Sequence, residues 1–218
     1  MNYYFGLKNS IFSSEIQIPF FKNKETKHEN ISLYKASILN NVWKIEKINN
    51  NKISSEFFII KSNDHSNSDI FFLAHPNEVQ NLNINKLTNI NDYTETSPAY
   101  RANLKIVFKN GGFSSYQSEY PYSMIKKKGS ILSSVHSLAN INADSNYIFV
   151  KNIYERPIHK IFNCFLVNIK TKKIEEKFEI KTNFTNFIEL NKKLIRPEIF
   201  LSTKEFLGIP IYASVKNK

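Results

Sequence analysis

The chain has 218 residues, 41% of them hydrophobic and 22% charged, a balance that excludes a disordered tail and leaves room for one large core or two small ones. Its net charge of +11 comes almost wholly from lysine, and only Arg101, Arg156 and Arg196 offer planar bidentate contacts, so nucleic acid is a disfavoured partner. A single cysteine excludes an intrachain disulfide and a cysteine-based zinc cluster, and the five glycines spell no G-x-G-x-x-G, G-x-x-x-x-G-K-[ST] or G-x-S-x-G fingerprint.

The first residues, Met1 to Lys8, lack the basic start and apolar core of a secretory signal. No apolar run approaches the ~20 residues of a membrane span. A cytoplasmic location without a membrane span is therefore the default expectation. Phe12 to Phe20 follows as an apolar, partly alternating run, and Ile31 to Ile38 alternates in part as well. Val42 to Ile48, the Asn49-Asn50-Asn51-Lys52 turn and Ile53 to Ile60 together predict a hairpin, because Asn tolerates the left-handed backbone of tight turns. Ile70 to Ala74 is a strand-sized apolar run.

Pro76 to Pro98 is Asn-rich, polar and bracketed by prolines, with a short helical piece expected around Asn77 to Leu82. It divides the chain into an expected N-terminal β unit over 1–95 and a C-terminal β-sandwich over 96–218. Beyond it strands are predicted over Arg101 to Phe108, Ser130 to Leu138, Tyr147 to Tyr154 and Phe162 to Ile169. The turn Lys170 to Lys173 then leads into Ile174 to Ile180, with Ile174, Phe178 and Ile180 on one face. Asn186 to Leu190 and Phe206 to Val215 complete the set, the last carrying a proline that suits an edge. Aromatic and β-branched residues favour these strands. Short strands between turns, without alternating helices, predict an all-β fold: an antiparallel β-sandwich, Ig-like or jelly-roll-like, in two related units.

The relation between units rests on an internal rhyme. Phe12-Ser13-Ser14-Glu15 is echoed by Phe113-Ser114-Ser115-Tyr116, and Phe58, Ile60, Lys61, Ser62 and Asn63 by Phe178, Ile180, Lys181, Thr182 and Asn183, in the same order.

The histidines offer weak chemistry. Asp64, His65, Asp69 and His75 are close enough in sequence for a metal, but a polar turn is the plainer reading, and no metal or cofactor is expected. His136 in Ser133-Ser134-Val135-His136-Ser137 has serine neighbours, yet adjacency in sequence is not triad geometry. Cys164 lies in an apolar run and reads as a buried small hydrophobe.

The strongest candidate surface is Asn110 to Tyr122, where a Gly-Gly turn precedes three tyrosines and several small polar groups. Tyrosine joins an apolar ring to a polar tip, which suits a wet ligand such as a sugar. Tyr116, Gln117, Glu119 and Tyr122 are the expected ligand-facing residues, with Arg101 available to an acidic group. A regular strand would send Tyr116 and Gln117 to opposite faces, so a break at Pro121 or Gly111-Gly112 is required. The first copy, with Glu15 and Gln17, reads as structural. The resulting expectation is a non-enzymatic binding or assembly module with a carbohydrate or protein partner. An enzyme or accessory domain acting on a saccharide-like substrate, and Lys-driven polyanion binding, stand behind it.

Overall fold

The structure is a computed structural model that describes residues 2–19, 31–49, 57–90, 101–126 and 131–216. It is an all-β, sandwich-like fold of two compact units. The first comprises Met1–Tyr122 with Glu155–Pro157, the second Ser123–Tyr154 with Ile158–Lys218. The division therefore falls after Tyr122 and not between residues 95 and 96. The reason is strand pairing: the strands that follow Arg101 are hydrogen-bonded to strands from the start of the chain. Of the connection expected over Pro76 to Pro98, residues 91–98 lie outside the described residues. Its beginning folds as a helix, α1 (Pro76–Gln80), fixed by a capping box in which His75 Nδ1 accepts from Asn77 N and Glu78 Oε2 accepts from His75 N.

The first unit contains β1 (Asn2–Tyr4), β2 (Phe12–Pro19), β3 (Ser32–Leu39), β4 (Val42–Lys47), β5 (Phe57–Ile60), β6 (Ile70–Ala74), β7 (Asn103–Phe108), β8 (Phe113–Gln117) and β9 (Glu119–Pro121). They form two sheets, ordered β4-β3-β6-β1-β9 and β5-β2-β7-β8. Alternation in β2 sends Phe12, Ser14, Ile16 and Ile18 inward and leaves Ser13, Glu15 and Gln17 half-buried on the other face. The hairpin expected from Val42 to Ile60 does not form. β4 instead pairs with β3 across Asn40-Asn41, both at positive φ (50° and 59°), the backbone that a two-residue turn between twisted strands demands. β5 joins the other sheet, against β2; of the expected Asn49 to Lys52 turn, residues 50–52 lie outside the described residues. Phe5, Leu7, Ile16, Ile18, Leu33, Ile60, Ile70 and Phe71 are inaccessible. Each such burial contributes about 1.5–3 kcal/mol before chain entropy is counted.

The second unit contains β10 (Ile131–Ser134), α2 (Val135–Leu138), β11 (Ser145–Asn152), β12 (Ile161–Asn168), β13 (Lys173–Lys181), β14 (Phe184–Leu190), β15 (Ile199–Thr203) and β16 (Ile209–Val215). Its sheets are ordered β10-β15-β12-β13 and β14-β11-β16. Ile148, Val150, Phe162, Cys164, Leu166, Ile188 and Leu201 lie in its core. Two local expectations change. The strand expected over Ser130 to Leu138 stops at Ser134, whose hydroxyl accepts from Ser137 N and caps α2. A register shift between Leu166 and Val167 breaks the regular alternation of β13, so Ile174 is 58% exposed although Ile180 is buried.

The two units share one connectivity. Numbering the first seven strands of each in chain order, both have sheets of fourth–third–sixth–first and fifth–second–seventh, all antiparallel. A 3-10 turn also follows the fifth strand in each, at Ser62–Asp64 and Lys192–Leu194. The residues that rhyme in sequence are not the equivalent ones. Phe12 and Phe113 stand on β2 and β8 of a single sheet, while Phe58 is on a fifth strand and Phe178 on a fourth. The true correspondence runs through β6 and β15, Ile70-Phe71-Phe72-Leu73-Ala74 and Ile199-Phe200-Leu201-Ser202-Thr203. Laying these end to end brings Phe71 onto Phe200, and their cross-strand partners, Tyr4 and Ser134, onto each other. The first unit then continues past its seventh strand into β8 and β9.

Candidate functional site

β7 and β8 are joined by Lys109-Asn110-Gly111-Gly112, where the glycines take φ of 106° and 91°, values that side chains resist. Phe108 N donates to Gly112 O, and at the far end Ser118 N donates to Ala102 O. Within this ladder Ser114 and Tyr116 turn their backbone groups toward β7, whereas those of Phe113, Ser115 and Gln117 point outward. Side chains divide in the same way. Tyr116 lies opposite Leu104 on the core-facing side, 36% exposed, and partial burial of its ring raises its phenol pKa. Phe113, Ser115 and Gln117 share the outer face with Val107, Lys105 and Asn103.

The alternation breaks at Ser118, not at Pro121 or Gly111-Gly112. Ser118 is inaccessible; its hydroxyl donates to Phe5 O and accepts from Phe5 N, replacing ladder bonds as the chain leaves one sheet for the other. Glu119 then opens β9 opposite Tyr4. Its carboxylate is 3% exposed and fully engaged: Oε2 accepts from Gln117 Nε2 at 2.7 Å and Arg101 Nη1 at 3.1 Å, and Oε1 accepts from Ala102 N at 3.1 Å. Of the expected site residues, then, Arg101, Gln117 and Glu119 converge. Tyr116 lies on the opposite face of its sheet. Tyr122 sits past β9 on a 3-10 turn, close enough to Tyr3 to add to the upward shift that burial imposes on that phenol. Arg101, 60% exposed, already has a carboxylate partner.

Residues outside the expected set extend the cluster. Asn103 Nδ2 donates to Gln17 Oε1 at 3.3 Å, and Gln17 Nε2 donates to Glu15 Oε1 at 2.8 Å. Glu15 faces Lys105 across the strands, and Lys105 Nζ lies 4.7 Å from the centre of the Phe113 ring. Phe113 is 71% exposed. The outer face of the β5-β2-β7-β8 sheet thus carries a row of amides and carboxylates beside an open aromatic ring. Glu15 and Gln17 belong to this row, in the same sheet as the segment they resemble and separated from it by β7. The signal was present in period-2 alternation: Ser13, Glu15 and Gln17 alternate with Phe12, Ser14, Ile16 and Ile18, and Asn103 and Lys105 with Leu104 and Ile106.

Several other polar groups serve the fold. His65 is 3% exposed; its Nε2 lies 3.2 Å from Ser14 O and 3.4 Å from Ser14 Oγ, and burial depresses its pKa. Ser14 is itself 2% exposed, so this serine–histidine contact is closed to any substrate. His75 caps α1, and Asp69 Oδ2 accepts from Ser66 N in a turn. Among the described residues no group of three or more His, Cys, Asp or Glu is placed to hold a metal ion. Burial pushes the Cys164 thiol up to about 12. Arg196 pairs with Glu175 and Glu198, leaving little of its charge for a polyanion. A hollow in the first unit lined by Tyr3, Ile45, Phe72, Leu82, Leu87 and Ile90 encloses about 220 Å³ even with open solvent included, below the ~300 Å³ of small ligand pockets. Among the described residues no helix is long and apolar enough to cross a membrane. No protein-family model matches the chain, and neither a curated protein nor a solved structure matches it.

Proposed function

We propose that the protein is a non-enzymatic binding or assembly module whose working surface is the outer face of the β5-β2-β7-β8 sheet. The observation that carries this reading is the hydrogen-bonded row Glu15, Gln17 and Asn103, with Gln117 alongside and the exposed ring of Phe113 on the same face. Amides and carboxylates in a row offer alternating donors and acceptors, which match sugar hydroxyls. An exposed aromatic face receives the apolar side of a sugar ring. A carbohydrate or similarly polar ligand is therefore the favoured occupant of the face.

The test is titration of a panel of neutral and acidic oligosaccharides against the full chain, Phe113→Ala and Gln17→Ala. Capture that both substitutions abolish, with the unfolding midpoint unchanged, supports the reading. Capture that survives both would move the site elsewhere. Turnover of a bound saccharide would replace this reading with an enzymatic one on the same surface.

A further inference from the structure

The backbone edge of β8 has its own consequence. Phe113, Ser115 and Gln117 direct their N–H and C=O groups away from β7, and β8 pairs with no other described strand. Open edges invite strand addition, and proteins usually blunt them with charge, proline or shortness. The other edges follow that practice unevenly: β5 and β10 are uncharged but only four residues long, and β14 carries Glu189. β4 carries Lys44, Glu46 and Lys47; β13 carries Lys173, Glu175, Glu176, Lys177, Glu179 and Lys181; β16 has Pro210; β9 is three residues long and ends in Pro121. β8 reads Phe-Ser-Ser-Tyr-Gln, without charge or proline, and among the described strands it alone is exposed at every residue.

We infer that the occupant of this edge is a second copy of the chain, joined by antiparallel β8–β8 pairing about Ser115. The inference rests on the reading of the protein as a binding or assembly module and names the assembly partner. The sequence of β8 suits a two-fold axis. Ser115 meets Ser115 of the second copy, and Phe113 meets Gln117, so every outward N–H finds an outward C=O. The two central serines are small enough to let the strands approach. No charged side chain stands on β8 itself. The nearest cation on the shared face, Lys105, stands on β7, so the two copies of it would lie three strand spacings apart, about 14 Å, beyond the ~8 Å screening length at physiological salt. Pairing edge to edge leaves the outer faces open and makes one continuous polar surface from both.

Sedimentation velocity of the full chain over a concentration series tests the inference. The wild type should form a dimer. Ser115→Pro deletes an outward N–H without touching a β7 bond, so it should raise the dimer dissociation constant by about tenfold or more, since both copies lose the central bond. Ser115→Lys and Ser115→Glu should each be monomeric, and their mixture should form a heterodimer. Unfolding followed at Trp43 checks that each variant is folded. A monomeric wild type, a dimer indifferent to Ser115→Pro, or charge variants that fail to combine overturns the inference. Each of those results leaves the oligosaccharide titration free to succeed or fail by itself, so the two readings are separable.

Discussion

Gly6 is glycine because His65 occupies the space a side chain would need. A Cβ built there would lie 2.6 Å from Nε2 and 2.7 Å from Nδ1, and would overlap Cε1 as well. The ring cannot swing aside cheaply, since Ser14 holds its Nε2 from two atoms. Overpacking a tight core costs about 1–3 kcal/mol, and contact with a whole ring places Gly6→Ala near the upper end. At about 2–4 °C per kcal/mol this lowers Tm by roughly 6–12 °C. His65→Ala removes the ring and costs about 2–4 kcal/mol through lost packing. In the double variant the methyl group introduced by Gly6→Ala has room, so the two losses should not add, and the coupling should reach about 1–3 kcal/mol. Urea unfolding followed by fluorescence of Trp43, the only tryptophan and buried in the same unit, measures all four corners of the cycle. Losses additive within about 0.5 kcal/mol, or a Gly6→Ala protein as stable as wild type, would refute the steric argument.

Burial holds the His65 imidazole below its ordinary value of 6.5, against the opposing pull of the Ser14 carbonyl. The unfolded chain therefore takes up that proton first, and stability should fall as pH drops below about 6.5 toward the folded value. Between about pH 7.5 and 5 the wild-type midpoint should drop further than that of His65→Gln; an equal drop counts against the assignment. Cys164, inaccessible and with its thiol pushed up to about 12, should react with a disulfide reagent only as fast as the second unit opens, and rapid labelling in native buffer would contradict its placement. Glu119→Leu strands the Ala102 N–H and the Gln117 amide and should cost about 2–3 kcal/mol, whereas Arg101→Ala, at the exposed end of the pair, should cost less than about 1 kcal/mol. Equal losses in the denaturant midpoints of those two variants would mean that the ion pair, not the buried hydrogen bonds, anchors β9.

The chain divides after Tyr122 because the first unit does not end at its seventh strand. Ser118 supplies, through one hydroxyl, the bonds that let Phe113 to Pro121 pair first with β7 and then with β1. The second unit, of the same connectivity, has no such extension among the described residues. The additions that distinguish the units, β8 and β9, bring Gln117 and Glu119 to Arg101 and create the open edge.

Local chemistry was enough to announce the strands and their antiparallel class. Alternation, Asn turns and scarce glycine act within a few residues, and their effect is the same wherever the segment docks. Even so, Ile174 left its expected face through a bulge, and Ser134 ended its strand as a helix cap, because each depends on a bond made a few residues away. That Gln117 and Glu119 are neighbours was legible in one polar segment, but that Arg101 would be taken up by Glu119 was not. Nor were the other partners of that segment. That β2 lies beside β7, placing Glu15 and Gln17 next to Asn103, is set by pairing across more than eighty residues of chain. The rhyme between Phe12 and Phe113 misled for the same reason: similar strands satisfy similar local rules, whereas which strands are equivalent is decided by hydrogen-bond ladders and buried contacts that only the folded chain assembles.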